Sequence, residues 1–307
     1  MRPPDHESEN PDQVELDGVS GGIEAHPGRV NRYGKARSLA LDIAEYIGAS
    51  DQAQTLAKQL QRLQFCGDYL VFRHYWTIDE VKLHGARLCC QHLLCPLCAI
   101  RRGSKALKAY LDRWEVIRAE KPALRPFLVT LTVKDGSDLA ERFEHLKRSQ
   151  HELWKRRLRR RGSALDGVAG AVWSYEVKRG NGSGLWHPHL HMIALAEFQP
   201  DQVELAREWQ AITGDSFIVD VRPISSDDPA SGFIEVFKYA VKFSDQPPAD
   251  TLHAFQILRG KRLLASSGCF RGVVEPEGLL DDCEALEGLP FVTLFYRYLR
   301  GGYSLAH

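Results

Sequence analysis

The sequence predicts an α+β protein in which an antiparallel sheet follows a small cysteine-bearing module. Three observations carry that prediction. Residues 125–133 (RPFLVTLTV) alternate strictly, with Phe127, Val129, Leu131 and Val133 on one face and Leu128, Thr130 and Thr132 on the other, the period-two pattern of a strand. Residues 169–178 and 188–196 read as two strands joined by the Gly/Asn/Ser-rich stretch 180–184, a hairpin. Helical spacing fills the segments around them, and Cys90, Cys95 and Cys98 crowd together ahead of the basic helix that precedes the first strand.

In chain order, residues 1–35 are rich in Pro, Gly, Asp, Glu and Ser without periodicity and read as a disordered tail. A helical segment fills 36–64, broken at Gly48 and resuming near 51. Residues 65–122 form the cysteine module, with short strands at 69–72 and 81–88 and a helix at 99–120. The unit 123–272 holds the strand 125–133, a helix at 138–161 and the hairpin. Beyond these come a helix at 201–212, a strand at 216–222, helices at 231–242 and 249–258, and a strand-like piece at 263–265. Residues 273–307 carry an acidic stretch, six carboxylates between Glu275 and Glu287, and a strand at 291–298.

The chain has 307 residues, 44% of them hydrophobic, and balances 40 Lys+Arg against 40 Asp+Glu. No run approaches the roughly 20 apolar residues of a membrane span, and the first residues lack the apolar core of a signal peptide. Seven cysteines, odd in number and clustered, argue against a secreted disulfide framework. A cytoplasmic protein without a membrane partner is expected. The neutral total hides an asymmetry: residues 101–160 sum to 17 − 8 = +9, against −3 for 1–100 and −6 for 161–307. The basic block, with Arg101, Arg102 and Lys105 at one end and Lys155, Arg156 and Arg157 at the other, suits a polyanion; a solvated helix face would look the same.

Cys95-Pro-Leu-Cys98 is a CxxC knuckle, and with Cys90 it offers three thiolates of the tetrahedral set that structural zinc prefers. Cys66, Cys89, His84 and His92 compete for the remaining position, and Cys66 is favoured because it brackets the module. A redox pair or unliganded thiols are the alternatives.

His187, His189 and His191 stand at alternate positions of WHPHLHM and share one face of a strand, with Pro188 expected at its start or on an edge. Glu176, on the preceding strand of the hairpin, is the natural carboxylate partner. Imidazoles with a carboxylate suit Mn²⁺ or Mg²⁺ with positions open to phosphate oxygens, although zinc would also bind. In EVFKYAVK, Glu235, Tyr239 and Lys242 share a helix face flanked by Lys238. A tyrosine beside lysines and a metal-polarised phosphate can act as a nucleophile; an ordinary polar surface pair is the plainer reading.

CGDYLVF, the Cys90–Cys98 element, FLVTLTVKD, HPHLH, EVFKYAVKFSD and LRGKRLLASSG follow one another between about residues 61 and 272. In that order they resemble the rolling-circle plasmid replication initiators of the HUH endonuclease superfamily, in the group with a cysteine ribbon ahead of the nuclease. The resemblance implies an HUH-type domain with a central antiparallel sheet flanked by helices and preceded by a zinc-ribbon-like module. It implies metal ligation by His189 and His191, with a Tyr239 nucleophile that leaves a 5′-phosphotyrosine and a free 3′-OH. Glu235 would activate water at termination, and zinc would sit on Cys66, Cys90, Cys95 and Cys98, Cys89 falling outside the pattern. The implied partners are plasmid origin DNA, single-stranded or in a hairpin, with a host helicase and polymerase; a homodimer is compatible. Phe217 stands where relatives would carry tyrosine, and Trp154 and Trp173 could stack bases or fill core. The alternatives are an HUH transposase, a relaxase (disfavoured because Tyr239 follows the histidines), and a non-catalytic zinc-ribbon DNA-binding regulator.

Overall fold

Two antiparallel sheets organise the chain in the computed structural model, which describes residues 26–159, 162–225, 227–238 and 246–306. The helices are α1 (His26–Ala49), α2 (Ala57–Gln64), α3 (Pro96–Glu120), α4 (Leu139–Leu158), α5 (Gln202–Thr213), α6 (Pro229–Phe237) and α7 (Pro248–Leu258). The strands are β1 (Tyr69–Tyr75), β2 (Glu80–Ala86), β3 (Arg125–Thr132), β4 (Gly170–Arg179), β5 (Trp186–Ala196), β6 (Val219–Pro223), β7 (Leu264–Gly268), β8 (Val292–Leu299) and β9 (Gly302–Leu305).

The larger sheet has the order β6-β3-β5-β4-β7, so the histidine strand β5 lies at its centre between β3 and β4. Pro188 is tolerated there for a local reason. Trp186 exchanges both backbone hydrogen bonds with Gly136, so Pro188, two residues on, would also aim its missing N–H to that side. β3 has already ended, its last pair being Thr132 with His189, and no ladder bond is lost. Aspartates cap the flanking helices: Asp138 accepts from the Glu141 N–H at 3.1 Å, and Asp201 from those of Val203 and Glu204. Such caps are worth about 1 kcal/mol each.

The sheet is covered on both faces. Tyr175 of β4 packs on Phe143 of α4, ring centres 5.5 Å apart, and donates its hydroxyl to Gln150 at 2.9 Å. Trp173 meets Trp154 on the same side at 5.3 Å, so both tryptophans belong to the core. The opposite face belongs to α3 and α6. Tyr110 of α3 hydrogen-bonds Ser266, which pairs with Val172 of β4, and its ring lies 5.2 Å from that of Phe237. Phe233, Val236 and Phe237 are fully buried, each contributing about 2 kcal/mol by burial, and they lay α6 across that face.

The smaller sheet has the order β2-β1-β8-β9. It joins the cysteine module to the C-terminus, because β8 pairs with β1 in register from Tyr69–Arg297 to His74–Val292. The strand at 291–298 is thus no appendage, and β9, which the sequence reading lacked, follows it. The tail reading fails over 26–35, where α1 already runs with Val30 and Tyr33 buried; helical residues rich in Gly and Arg become ordered here because β8 and β9 cover them. Ser38 and Tyr298 share a 2.6 Å hydrogen bond, and Tyr303 donates to the Gly67 carbonyl at 2.6 Å. Gly67 has φ +71, and a Cβ there would stand 2.6 Å from Leu97, which requires glycine.

Candidate metal centres

Two clusters of ligating side chains occur among the described residues, one of them built onto α3. The first lies at its N-terminus, where Cys95 is the N-cap and Cys98 sits in the first turn. The Sγ of Cys66 lies 3.5 Å from those of Cys95 and Cys98, and Cys89 Sγ lies 3.6 Å from Cys98. All four sulfurs fall within 4.8 Å of one another, and all four residues are buried. These gaps are far longer than a disulfide and close to the roughly 3.8 Å edge of a tetrahedron with 2.3 Å metal–sulfur bonds, so the set could hold a metal ion. Hydrogen bonds from Cys66, Cys95 and Cys98 hold the Cys89 thiol well below its ordinary pKa. Burial pushes that of Cys95 well up.

Here the structure corrects the sequence reading, for the fourth sulfur is that of Cys89 and not Cys90. Successive side chains cannot both face the cluster, and the Cys89 N–H is fixed there by a 3.3 Å bond to Cys66 Sγ. The backbone then turns through φ +58 at Cys90, which leaves that thiol exposed. Spacing alone contained no signal that would separate the two neighbours.

The second cluster lies on the α3–α6 face of the larger sheet. The β4–β5 register sets Glu176 opposite His189 and Ser174 opposite His191. Glu176, 0% exposed, reaches both rings: Oε1 is 3.1 Å from His189 Nε2, and Oε2 is 3.6 Å from His191 Nε2. The other ring nitrogens are engaged. His189 Nδ1 donates to the His187 carbonyl at 3.3 Å, and His191 Nδ1 lies 3.1 Å from Thr130 Oγ1. Such contacts turn both Nε2 atoms toward Glu176, the orientation that metal ligation would require. Separations near 3 Å suit N/O ligands about 2.1 Å from a cation, and three protein ligands leave positions open. Glu176, His189 and His191 could therefore hold a divalent ion.

His187 stands apart from that set. Its Nδ1 is 2.6 Å from Asp135 Oδ1, and Asp135 Oδ2 also accepts from Ser183. Burial would raise the Asp135 pKa, but the hydrogen bonds of Ser183 and His187 outweigh it and lower the pKa. Asp135 and Thr130 are the neighbours that sequence reasoning missed; both lie in or beside FLVTLTVKD, and only strand pairing reveals what they touch. Glu235 is on the last turn of α6, 3.4 Å from Lys238. Tyr239 and Lys242 lie outside the described residues.

The basic block divides. Arg101 is 2% exposed and binds Asp281 at 2.5 Å, the Leu279 carbonyl at 2.8 Å and Tyr33 at 2.9 Å. It is a core tie and cannot contact DNA, because the acidic stretch folds back onto α3 and covers it. Burial would raise the Asp281 pKa, yet the charges of Arg101 and Arg29 hold it well below the carboxylate range. Arg102 pairs with Glu275 at 3.0 Å, and burial lowers the Lys105 pKa. At the other end Arg157 stacks on Trp154 and donates to the Val168 carbonyl, Arg156 lies 3.5 Å from Glu152, and Lys155 is exposed.

No helix among the described residues is long and apolar enough to cross a membrane. Residues 80–288 match the family described as "Replication protein". "Protein rep" of Streptococcus pneumoniae serotype 2 (strain D39 / NCTC 7466) is 25% identical over 233 residues, which cover 69% of this chain and 70% of the relative. "Protein rep" of Lactiplantibacillus plantarum is 26% identical over 241 residues, covering 73% and 72%. No solved structure matches the chain.

Proposed function

The chain belongs to the replication-protein family of plasmid rolling-circle initiators, and from that premise we propose that it nicks and rejoins one DNA strand at a plasmid origin through Tyr239. The observation that carries the proposal is the Glu176–His189–His191 set, its carboxylate and first imidazole buried and His191 half-buried on the sheet face that α6 crosses, with Glu235 on the last turn of that helix. A divalent ion held there, Mn²⁺ or Mg²⁺, supplies Lewis-acid polarisation of a phosphate. Zinc on Cys66, Cys89, Cys95 and Cys98 supplies folding energy to the neighbouring module.

In this reading Tyr239 Oη bonds to phosphorus as the bond to the 3′ oxygen breaks. The tyrosine proton passes to solvent, and the departing oxygen takes one up to become the 3′-OH that a polymerase extends. Thr130 and the His187 carbonyl keep both imidazoles turned toward Glu176. At termination Glu235 accepts a proton from water, whose oxygen bonds to phosphorus at the regenerated origin as the bond to the 3′ oxygen breaks. The 3′-OH so formed attacks the phosphotyrosine, which rejoins the strand and returns a proton to Tyr239 Oη, so no second tyrosine is needed. Lys238 and Lys242 stabilise charge near the phosphate. Exposed cations such as Lys155 contribute sequence-independent phosphate contacts.

The test is a denaturing gel of full-length protein with single-stranded oligonucleotides tiling the cognate origin, with Mn²⁺ or with EDTA. A metal-dependent covalent adduct, lost in Tyr239→Phe while origin binding persists, is the expected result. Binding without an adduct on any oligonucleotide would put the non-catalytic regulator in its place.

A further inference from the structure

The sheet completed by the C-terminal hairpin has two faces, and the core uses one. Leu70 and Phe72 point inward with Leu294 and Tyr296, against His26, whose ring is 4.5 Å from Phe72. Their alternates point outward, and there two aromatic–cation stacks stand side by side. Phe295 lies 5.9 Å from Tyr69 with the planes only 20° apart, and the Arg297 guanidinium is 5.8 Å from the Phe295 ring. Farther along, Arg73 sits 4.3 Å from the centre of Phe291, whose ring lies 5.6 Å from that of Tyr75, itself buried at 2% exposure and so not open to a ligand. Phe291 remains 41% exposed.

The charge on this sheet is one-sided. β1, β2, β8 and β9 together contain one carboxylate, Glu80, and Lys82 neutralises it at 2.5 Å. In a chain of zero net charge, that leaves Arg73 and Arg297 as a local positive field laid over rings. A purely apolar partner would gain nothing from guanidinium groups on the rings it must bury. An unpaired nucleotide matches both halves, offering a base to the ring and a phosphate to the cation.

We propose that this face is a second nucleic-acid site, which holds extruded single-stranded DNA by stacking bases on Phe291 and Phe295 and pairing phosphates with Arg73 and Arg297. It rests on the reading that the chain works on single strands, and it lies on a different sheet from Glu176, His189 and His191. Since β8 and β9 form half of it, the site exists only where the C-terminal hairpin is docked.

The test uses full-length protein and labelled oligothymidylate about 16 nucleotides long, with a duplex of equal length beside it, followed by fluorescence anisotropy across a salt series. Phe295→Leu should weaken oligothymidylate binding about tenfold. Arg73→Gln with Arg297→Gln, which leaves the rings in place, should lower the log–log salt slope by about 1.4. An unchanged Tm shows that neither effect is unfolding. If the wild type forms its metal-dependent adduct yet these variants bind oligothymidylate like the wild type, the second site is wrong and the nuclease reading stands. If the wild type forms no adduct but the variants lose oligothymidylate, the nuclease reading fails and the site stands. A loss confined to the duplex, or a wild-type self-association abolished by Phe295→Leu, overturns the single-strand assignment.

Discussion

The sulfur cluster and the carboxylate–imidazole cluster are held by opposite means. Cys66 and Cys89 come from connections on either side of the β1–β2 hairpin, and Cys95 and Cys98 from the start of α3. No regular ladder fixes the loop-borne sulfurs, so a metal there holds the segments as much as they hold it. Glu176, His189 and His191 stand on two adjacent central strands whose register is set by the whole sheet. That site is preorganised, and a metal there adds chemistry to a structure already formed. The difference teaches that a metal on the four sulfurs would fasten the fold, whereas one on Glu176, His189 and His191 would be mounted on a fold that already stands.

The sharpest way to break this comparison is to remove one sulfur. Cys95→Ser should lower the Tm by about 10 °C or more and release metal, as read by calorimetry and elemental analysis; wild-type stability would mean that the sulfurs fasten nothing. Next in size, Glu176→Gln should reduce adduct formation about a hundredfold or more while moving the Tm by only a few degrees. Equal collapse of stability in that variant would make the second cluster a fastener too.

Acid provides a smaller effect that separates the two sheets. Burial, with the charges of Arg29 and His74, lowers the His26 pKa to about 4, and its Nε2 is 3.1 Å from Tyr296 Oη. The unfolded chain, near 6.5, takes up its proton first as pH falls. The contribution is therefore complete above pH 6.5 and is lost between there and about 4, with a slope of up to about 1.4 kcal/mol per pH unit. Hydrogen exchange should show β8 loosening in that window before β5, and His26→Phe should flatten the dependence. Smallest of all, Cys90→Ser should change the Tm by about 1 °C or less with full metal content; loss of metal would return Cys90 to the cluster.

Much of the second cluster was legible because strands obey a simple rule. Alternation puts His187, His189 and His191 on one face, and a short hairpin connection places Glu176 across from them. The rule says nothing of which nitrogen turns where, so the capture of His187 by Asp135, from a loop beyond the adjacent strand, was out of reach. At the cysteines the signal gave type and neighbourhood but not identity, since Cys89 and Cys90 differ only in which way the backbone turns. Arg101 misled for a related reason: a basic helix face reads as solvated until a distant acidic segment is known to lie on it.

By itself, then, the sequence determined what depends on local periodicity and residue chemistry: the strand 125–133, the histidine hairpin, the long helices, and the two kinds of ligand each metal class requires. Only tertiary structure decided what depends on residues far apart in the chain. β8 and β9 close a sheet with β1, more than two hundred residues earlier, and Asp281 turns a would-be DNA contact into a buried ion pair. Pairings of that kind are set by which surfaces remain to be covered once the local elements have formed, and no window of sequence contains both partners.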